Sequence, residues 1–145
     1  MKRFSQVPDD DKDNKLFSVK YNCYRNIGLI YEQREELRLA LRFLLHAVEL
    51  DETDVYTQCK IGRLSLKLNN LLLAKIAFEK CLERNPNHCG AKDGFLETLC
   101  KLEDIDQAYG FALKCFEDDR KYERAIRVLK EIRARFLGSL EYYDG

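Results

Sequence analysis

The side chains best equipped for chemistry are six cysteines (Cys23, Cys59, Cys81, Cys89, Cys100, Cys115) and two histidines (His46, His88). Thiolates and imidazoles hold zinc when they recur at short, regular intervals, and paired thiols can staple a secreted fold. Neither pattern is legible here. There is no C-x-x-C pair, and neither histidine stands at ligand spacing from a cysteine cluster. The expectation is therefore no metal and no cofactor, with reduced, packed cysteines in an intracellular, reducing compartment. His88 reads as a surface loop residue. Carboxylates are plentiful, but no Gly-rich phosphate loop, nucleophile elbow or metal-binding helix motif organises them. No catalytic residues are expected, and the chain reads as no enzyme and as having no small-molecule substrate.

The elements that must position these residues recur. Ile27-Gly28 is followed 34 positions later by Ile61-Gly62, and the next step reaches Phe95-Leu96. Ala40 is followed by Ala74 and Ala108, Leu44 by Phe78 and Ala112, and Ala47 by Cys81 and Cys115. A period of about 34 residues is that of the tetratricopeptide (TPR) repeat, two antiparallel helices per unit. The register gives unit one as 21–54, unit two as 55–88 and unit three as 89–122. Tyr24, Ile27, Gly28 and Tyr31 fall on one stripe of a first helix, at offsets of three and four. Gly28, Ala40 and Ala47 are the small residues that let helices approach. Unit three is looser, because Leu96 replaces the close-contact glycine.

This predicts an all-α fold: an α-solenoid of about three TPR repeats plus a C-terminal capping helix. Seven helices are expected at about 17–33, 37–50, 54–68, 71–84, 88–101, 104–117 and 121–136. Thr53 or Asp54, Asn70, and Asp104 with Gln107 supply capping signals, and Pro86-Asn87 stops the second helix of unit two. Ile126, Leu129, Ile132 and Phe136 mark the apolar side of the cap helix 121–136. Residues 1–14 read as a disordered leader, 15–137 as the TPR domain and 138–145 as a flexible tail. No run of residues is apolar and long enough for a bilayer, and no signal-peptide core follows Met1.

The 25 basic and 25 acidic residues cancel, which removes a global field for nucleic acid. Locally, Arg120, Lys121, Arg124, Arg127, Lys130, Arg133 and Arg135 face only Glu123 and Glu131. The plain reading is the solvated face of a cap helix. The alternative is a docking strip built on Arg124, Arg127 and Lys130 for an acidic partner or nucleic acid, with direct nucleic-acid binding the less favoured.

Stacked hairpins leave a trough rather than a reaction chamber, so binding is expected on the concave side, along the first helices. That face should carry Asn22, Arg25, Leu29 and Glu32, then Tyr56, Cys59, Arg63 and Leu66, then Gly90, Asp93, Glu97 and Cys100. TPR domains that grip acidic chaperone tails use a clamp of Lys, Asn and Arg there. The corresponding positions here are Arg25, Leu29, Cys59, Arg63, Asp93 and Glu97, and the last two would repel a carboxylate. A generic adaptor or co-chaperone-like peptide-binding module is thus the second choice.

Several segments are more individual: Gln33-Arg34-Glu35-Glu36-Leu37, Ala47 through Val55, Lys60-Ile61-Gly62, Leu73 through Glu79, and Arg84-Asn85-Pro86-Asn87-His88. Gln33 to Leu37 and Thr53 to Val55 lie in turns that the general repeat leaves free. In these segments the chain resembles the N-terminal TPR region of the calcineurin-binding protein cabin family, over about residues 17–135. The resemblance implies a nuclear scaffold for replication-independent nucleosome assembly, a Hir-type large subunit whose partners are the HIRA and ubinuclein subunits of a histone-chaperone complex. No functional residue of that family is carried over to a position here.

Overall fold

The computed structural model describes residues 15–136. Its elements are α1 (Lys2–Gln33), α2 (Leu37–Leu50), α3 (Val55–Lys67), α4 (Leu71–Arg84), α5 (Cys89–Lys101), α6 (Ile105–Asp118) and α7 (Glu123–Asp144). Over the described residues these are the seven expected helices, with the ends that face the turns agreeing to within about two residues, and no strand occurs there. The expected leader 1–14 and tail 138–145 lie outside the described residues. Each helix packs on the next, and α3 meets α5 while α5 meets α7. First helices therefore share one face and hairpins stack in sequence order: an all-α TPR solenoid.

Both kinds of turn repeat with the sequence. Within each unit the first helix ends on a residue in the left-handed region: Glu35 (φ 62°), Asn69 (φ 61°) and Glu103 (φ 59°). The next amide reaches back six residues inclusively, Glu36 N–H to Tyr31 O at 2.9 Å, Asn70 to Ser65 at 2.8 Å and Asp104 to Leu99 at 3.1 Å. This is the Schellman ending, which is usually built on glycine. Only Asn69 has a side chain that tolerates this conformation well. Glu35→Gly and Glu103→Gly are therefore expected to raise stability by about 0.5–1 kcal/mol each, and Asn69→Gly by less. Urea denaturation followed by circular dichroism measures this; lower stability in both glutamate variants would contradict it.

Between units the chain turns on Asp51, Asn85 and Asp119. Their side-chain oxygens accept from the amides of Thr53 (2.9 Å), Asn87 (3.3 Å) and Lys121 (3.0 Å). Asx turns of this kind are the reason such residues favour loops. The Thr53 bonds hold the Asp51 carboxyl below its ordinary value. Helix starts are then sealed by Asp54 accepting from Thr57 N–H, Asn70 from Leu73 and Asp104 from Gln107. Thr53 is not the cap of α3. The cap of α5 is His88, whose Nδ1 accepts from Ala91 N–H at 3.0 Å. It is half-buried rather than a surface loop residue.

Small residues do space the helices. A Cβ on Gly28 would lie 2.8 Å from Leu44 Cγ, and one on Gly62 would lie 2.7 Å from the Phe78 ring. Unit three inverts the sizes: Leu96 stands at the glycine position and Ala112 opposite, both fully buried. Its close approach is instead made to the preceding unit and two residues earlier, where a Cβ on Gly94 would come within 2.2 Å of Phe78 Cζ. The larger Leu96 leaves α5 and α6 less closely apposed than the helices of the other two hairpins, as its place in the repeat predicts. The core falls into two clusters, one around Leu44, Ile61 and Leu64, the other running from Phe78 through Leu96 and Leu99 to α7.

The cap helix differs in detail from its expected stripe. Ala125, Val128 and Ile132 are buried and Leu129 packs beside them, whereas Phe136 is 59% exposed. Phe136 instead lines an open cleft with Ile105, Tyr109 and Ile132, beside the start of α6. On α1, Ile27 is part of an exposed row with Leu16, Val19 and Ile30, while Gly28 and Tyr31 face α2.

Candidate functional site

The concave side is lined by α1, α3 and α5, and most of its charges are already matched across helices. Arg25 Nε stands 3.4 Å from Asp54 Oδ2, and its guanidinium lies 5.1 Å from the centroid of the Tyr56 ring. Lys60 Nζ reaches Glu32 at 2.9 Å and flanks the same ring at 5.8 Å. Tyr56 is thus held between two cations, a cation–π arrangement, yet remains 49% exposed. Tyr21 donates its hydroxyl to Asp54 and completes this first station of the groove.

The second station involves α5 and α7. Asp93 accepts from the Tyr122 hydroxyl and pairs with Arg124 at 3.6 Å. Burial first, then the bond to Asp93, pushes the Tyr122 phenol above its ordinary value, which keeps it a donor. Glu97 pairs with Lys101 at 3.5 Å, four residues along the same helix. The repulsion of a carboxylate ligand expected from Asp93 and Glu97 is consequently offset by neighbours that linear reading had not joined to them.

Between the stations, Arg63 donates to Gly90 O at 3.1 Å across to α5 and is exposed. A cleft of about 330 Å³ opens beside it, lined by Tyr56, Cys59, Lys60, Arg63, His88 and Gly90. Asn22 is exposed and Leu29 half-buried on α1. The expected face residues therefore divide into two kinds. Tyr56 and Arg63 are open to a ligand, whereas Arg25, Asp93 and Glu97 are bound within the groove.

The floor of that cleft is a thiol pair. Cys59 and Cys81 are buried, and their sulfurs and a ring nitrogen of His88 all lie within 4.8 Å of one another. The neighbouring Cys81 side chain lowers the Cys59 thiol pKa, burial opposes this, and the Arg63 charge adds to the lowering, while the Cys81 S–H itself is directed at Val55 O at 3.8 Å. The same contact and burial push Cys81 up. Burial raises the Cys100 and Cys115 thiols, in keeping with inert core residues. Linear spacing hid this cluster because its members come from α3, α4 and the α5 cap.

The basic strip is less free than its sequence suggests. Arg124 is engaged with Asp93, while Arg127 and Lys130 are exposed. Glu97 and Glu131 share a shallow cleft with Arg124 and Arg127. Among the described residues no helix is long and apolar enough to cross a membrane.

Solved structures share this architecture. The first TPR of Spaghetti (RPAP3), bound to the HSP90 peptide SRMEEVD, is 13% identical with a TM-score of 0.69, covering 83% of this chain and 95% of that one. The Arabidopsis OM64 TPR domain is 13% identical with a TM-score of 0.68, over 82% of this chain and 98% of that one. MamA 41-end from Desulfovibrio magneticus RS-1 is 24% identical with a TM-score of 0.69, over 84% and 68%. At such identities the likeness establishes the fold alone. The sequence itself is more specific, matching the family described as the CABIN1 N-terminal domain over residues 1–135. With that span including all three helical hairpins and nearly all of the described cap helix, the chain belongs to the CABIN1 N-terminal domain family.

Proposed function

We propose that this domain is a non-enzymatic scaffold of a HIRA-type histone-chaperone complex, acting in replication-independent nucleosome assembly in the nucleus. Membership of the CABIN1 N-terminal domain family is the observation that carries the reading. The groove supports it, since a TPR trough with an exposed aromatic and an exposed guanidinium suits a protein segment better than a small substrate. Its partners are protein subunits, HIRA and ubinuclein among them. Recognition runs through Tyr56 and Arg63 rather than through bulk charge, because the other groove charges are satisfied internally. The acidic-tail reading is weaker, because Arg25 is committed to Asp54.

Affinity purification of the tagged chain from nuclear extract, read by mass spectrometry, tests this. HIRA-complex subunits are expected among the recovered proteins, and Tyr56→Ala with Arg63→Glu is expected to reduce their recovery about tenfold or more. Recovery of chaperones without HIRA subunits would replace this reading by the adaptor one. Recovery of HIRA subunits undiminished in the double variant would move the interface off the groove.

A further inference from the structure

Three positions recur in register in every unit: the fifth and the last residue of the unit and a small residue of its second helix. In unit one these are Arg25, Asp54 and Ala47, and Arg25 pairs with Asp54. In unit three they are Asp93, Tyr122 and Cys115, and Tyr122 bonds to Asp93. Unit two fills the three positions with Cys59, His88 and Cys81. The fold thus closes two of the stations with protein partners and puts two thiols and an imidazole into the third.

We propose that Cys59, Cys81 and His88 form a binding site for one thiophilic divalent cation, of which Zn²⁺ is the type. Their ligand atoms already lie within 4.8 Å of one another. A tetrahedral Zn²⁺ at ordinary bond lengths needs S···S and S···N separations of about 3.5–3.8 Å, a difference that side-chain rotation can close. Two sulfurs with one nitrogen is a donor set that selects Zn²⁺ over hard cations. The cleft of about 330 Å³ gives solvent access, so a water completes the coordination.

Charge and protons balance. Uptake releases the two thiol protons to solvent, and two thiolates, a neutral imidazole and Zn²⁺ sum to zero. The neighbouring cations do not oppose this, because Lys60 is paired with Glu32 and Arg63 faces solvent with a bond to Gly90 O. Two bonds are exchanged, the first being the weak Cys81 S–H bond to Val55 O at 3.8 Å, lost with the proton. Nδ1 of His88 accepts from Ala91 N–H in the metal-free arrangement. A cation on Nδ1 takes that lone pair, and a cation on Nε2 shifts the ring proton onto Nδ1, so the cap bond opens either way.

The test uses the full chain under a non-thiol reductant. Zn²⁺ is titrated against a chromophoric chelator, and Co²⁺ is titrated with its thiolate-to-cobalt absorption followed. One equivalent of uptake is expected, with release of up to two protons. Cys59→Ala and Cys81→Ala should each weaken it about 100-fold or more, and His88→Asn, which keeps an acceptor at the cap, about 10–100-fold. Cys81→Ala repeats the alanine found at the same place in unit one, so the fold tolerates it; far-UV circular dichroism checks each variant. Cys23→Ser and Cys89→Ser, at exposed thiols, should change nothing. Absence of stoichiometric uptake overturns the proposal. So does uptake that survives the Cys59→Ala/Cys81→Ala pair or is lost with the exposed cysteines.

Discussion

Phe78→Ala is expected to cost about 3–5 kcal/mol, a large share of the roughly 5–15 kcal/mol that holds a domain of this kind together. Phe78 is fully buried on α4 and its ring is gripped from both sides, by Gly62 of its own unit and Gly94 of the next. Removing the ring leaves a cavity whose walls are helix backbones at glycine, and backbones do not collapse inward as side chains can. The loss also falls on the joint between two units. In a stacked array stability is a sum of unit terms and nearest-neighbour terms, so weakening one joint lowers cooperativity as well as the midpoint. Urea unfolding followed by circular dichroism should show both an earlier and a broader transition. A loss below about 1 kcal/mol would mean that the ring is not the keystone of that joint.

Periodicity made much of this legible in advance. A residue's place in the repeat fixes its helix and its face, so Gly28, Gly62, Ala74 and Ala108 could be named as spacers, and Asp54, Asn70 and Asp104 as caps, without coordinates. What stayed hidden are choices that involve two elements at once. Unit three exchanges sizes across its hairpin, Leu96 against Ala112, and a residue-by-residue comparison registers only a missing glycine. His88 caps α5 although imidazole is outside the usual capping set, so nothing local marked it. In the sequence Asp93 is a bare groove charge, because its partners, Tyr122 and Arg124, come from the cap region some 29 and 31 positions on. The Cys59, Cys81 and His88 cluster is of the same kind. It could have been suspected by superposing the three units and asking which positions pair in the other two.

Gly94→Ala isolates one of those hidden choices. In an open helix the substitution stabilises, since alanine exceeds glycine in helix propensity by about 1 kcal/mol. Here the added methyl would stand 2.2 Å from Phe78 Cζ and 2.5 Å from Cε1, far inside contact distance. The ring has little room to retreat, because the same Cε1 and Cζ atoms are already against Gly62, where a Cβ would lie 2.7 Å away. Either α5 moves off α4 or Phe78 leaves its rotamer, and overpacking of this sort costs about 1–3 kcal/mol net of the propensity gain. Gly110→Ala on α6 supplies the comparison. Nothing lies within 4 Å of its would-be Cβ, so it should stabilise by about 0.5–1 kcal/mol. The two alanines are thus expected to differ in sign. Shrinking the ring should relieve the clash, so that Phe78→Leu with Gly94→Ala costs less than the sum of the two single changes by at least about 1 kcal/mol. Additive losses, or a Gly94→Ala protein as stable as Gly110→Ala, would show that α4 and α5 are not held apart by this glycine and this ring.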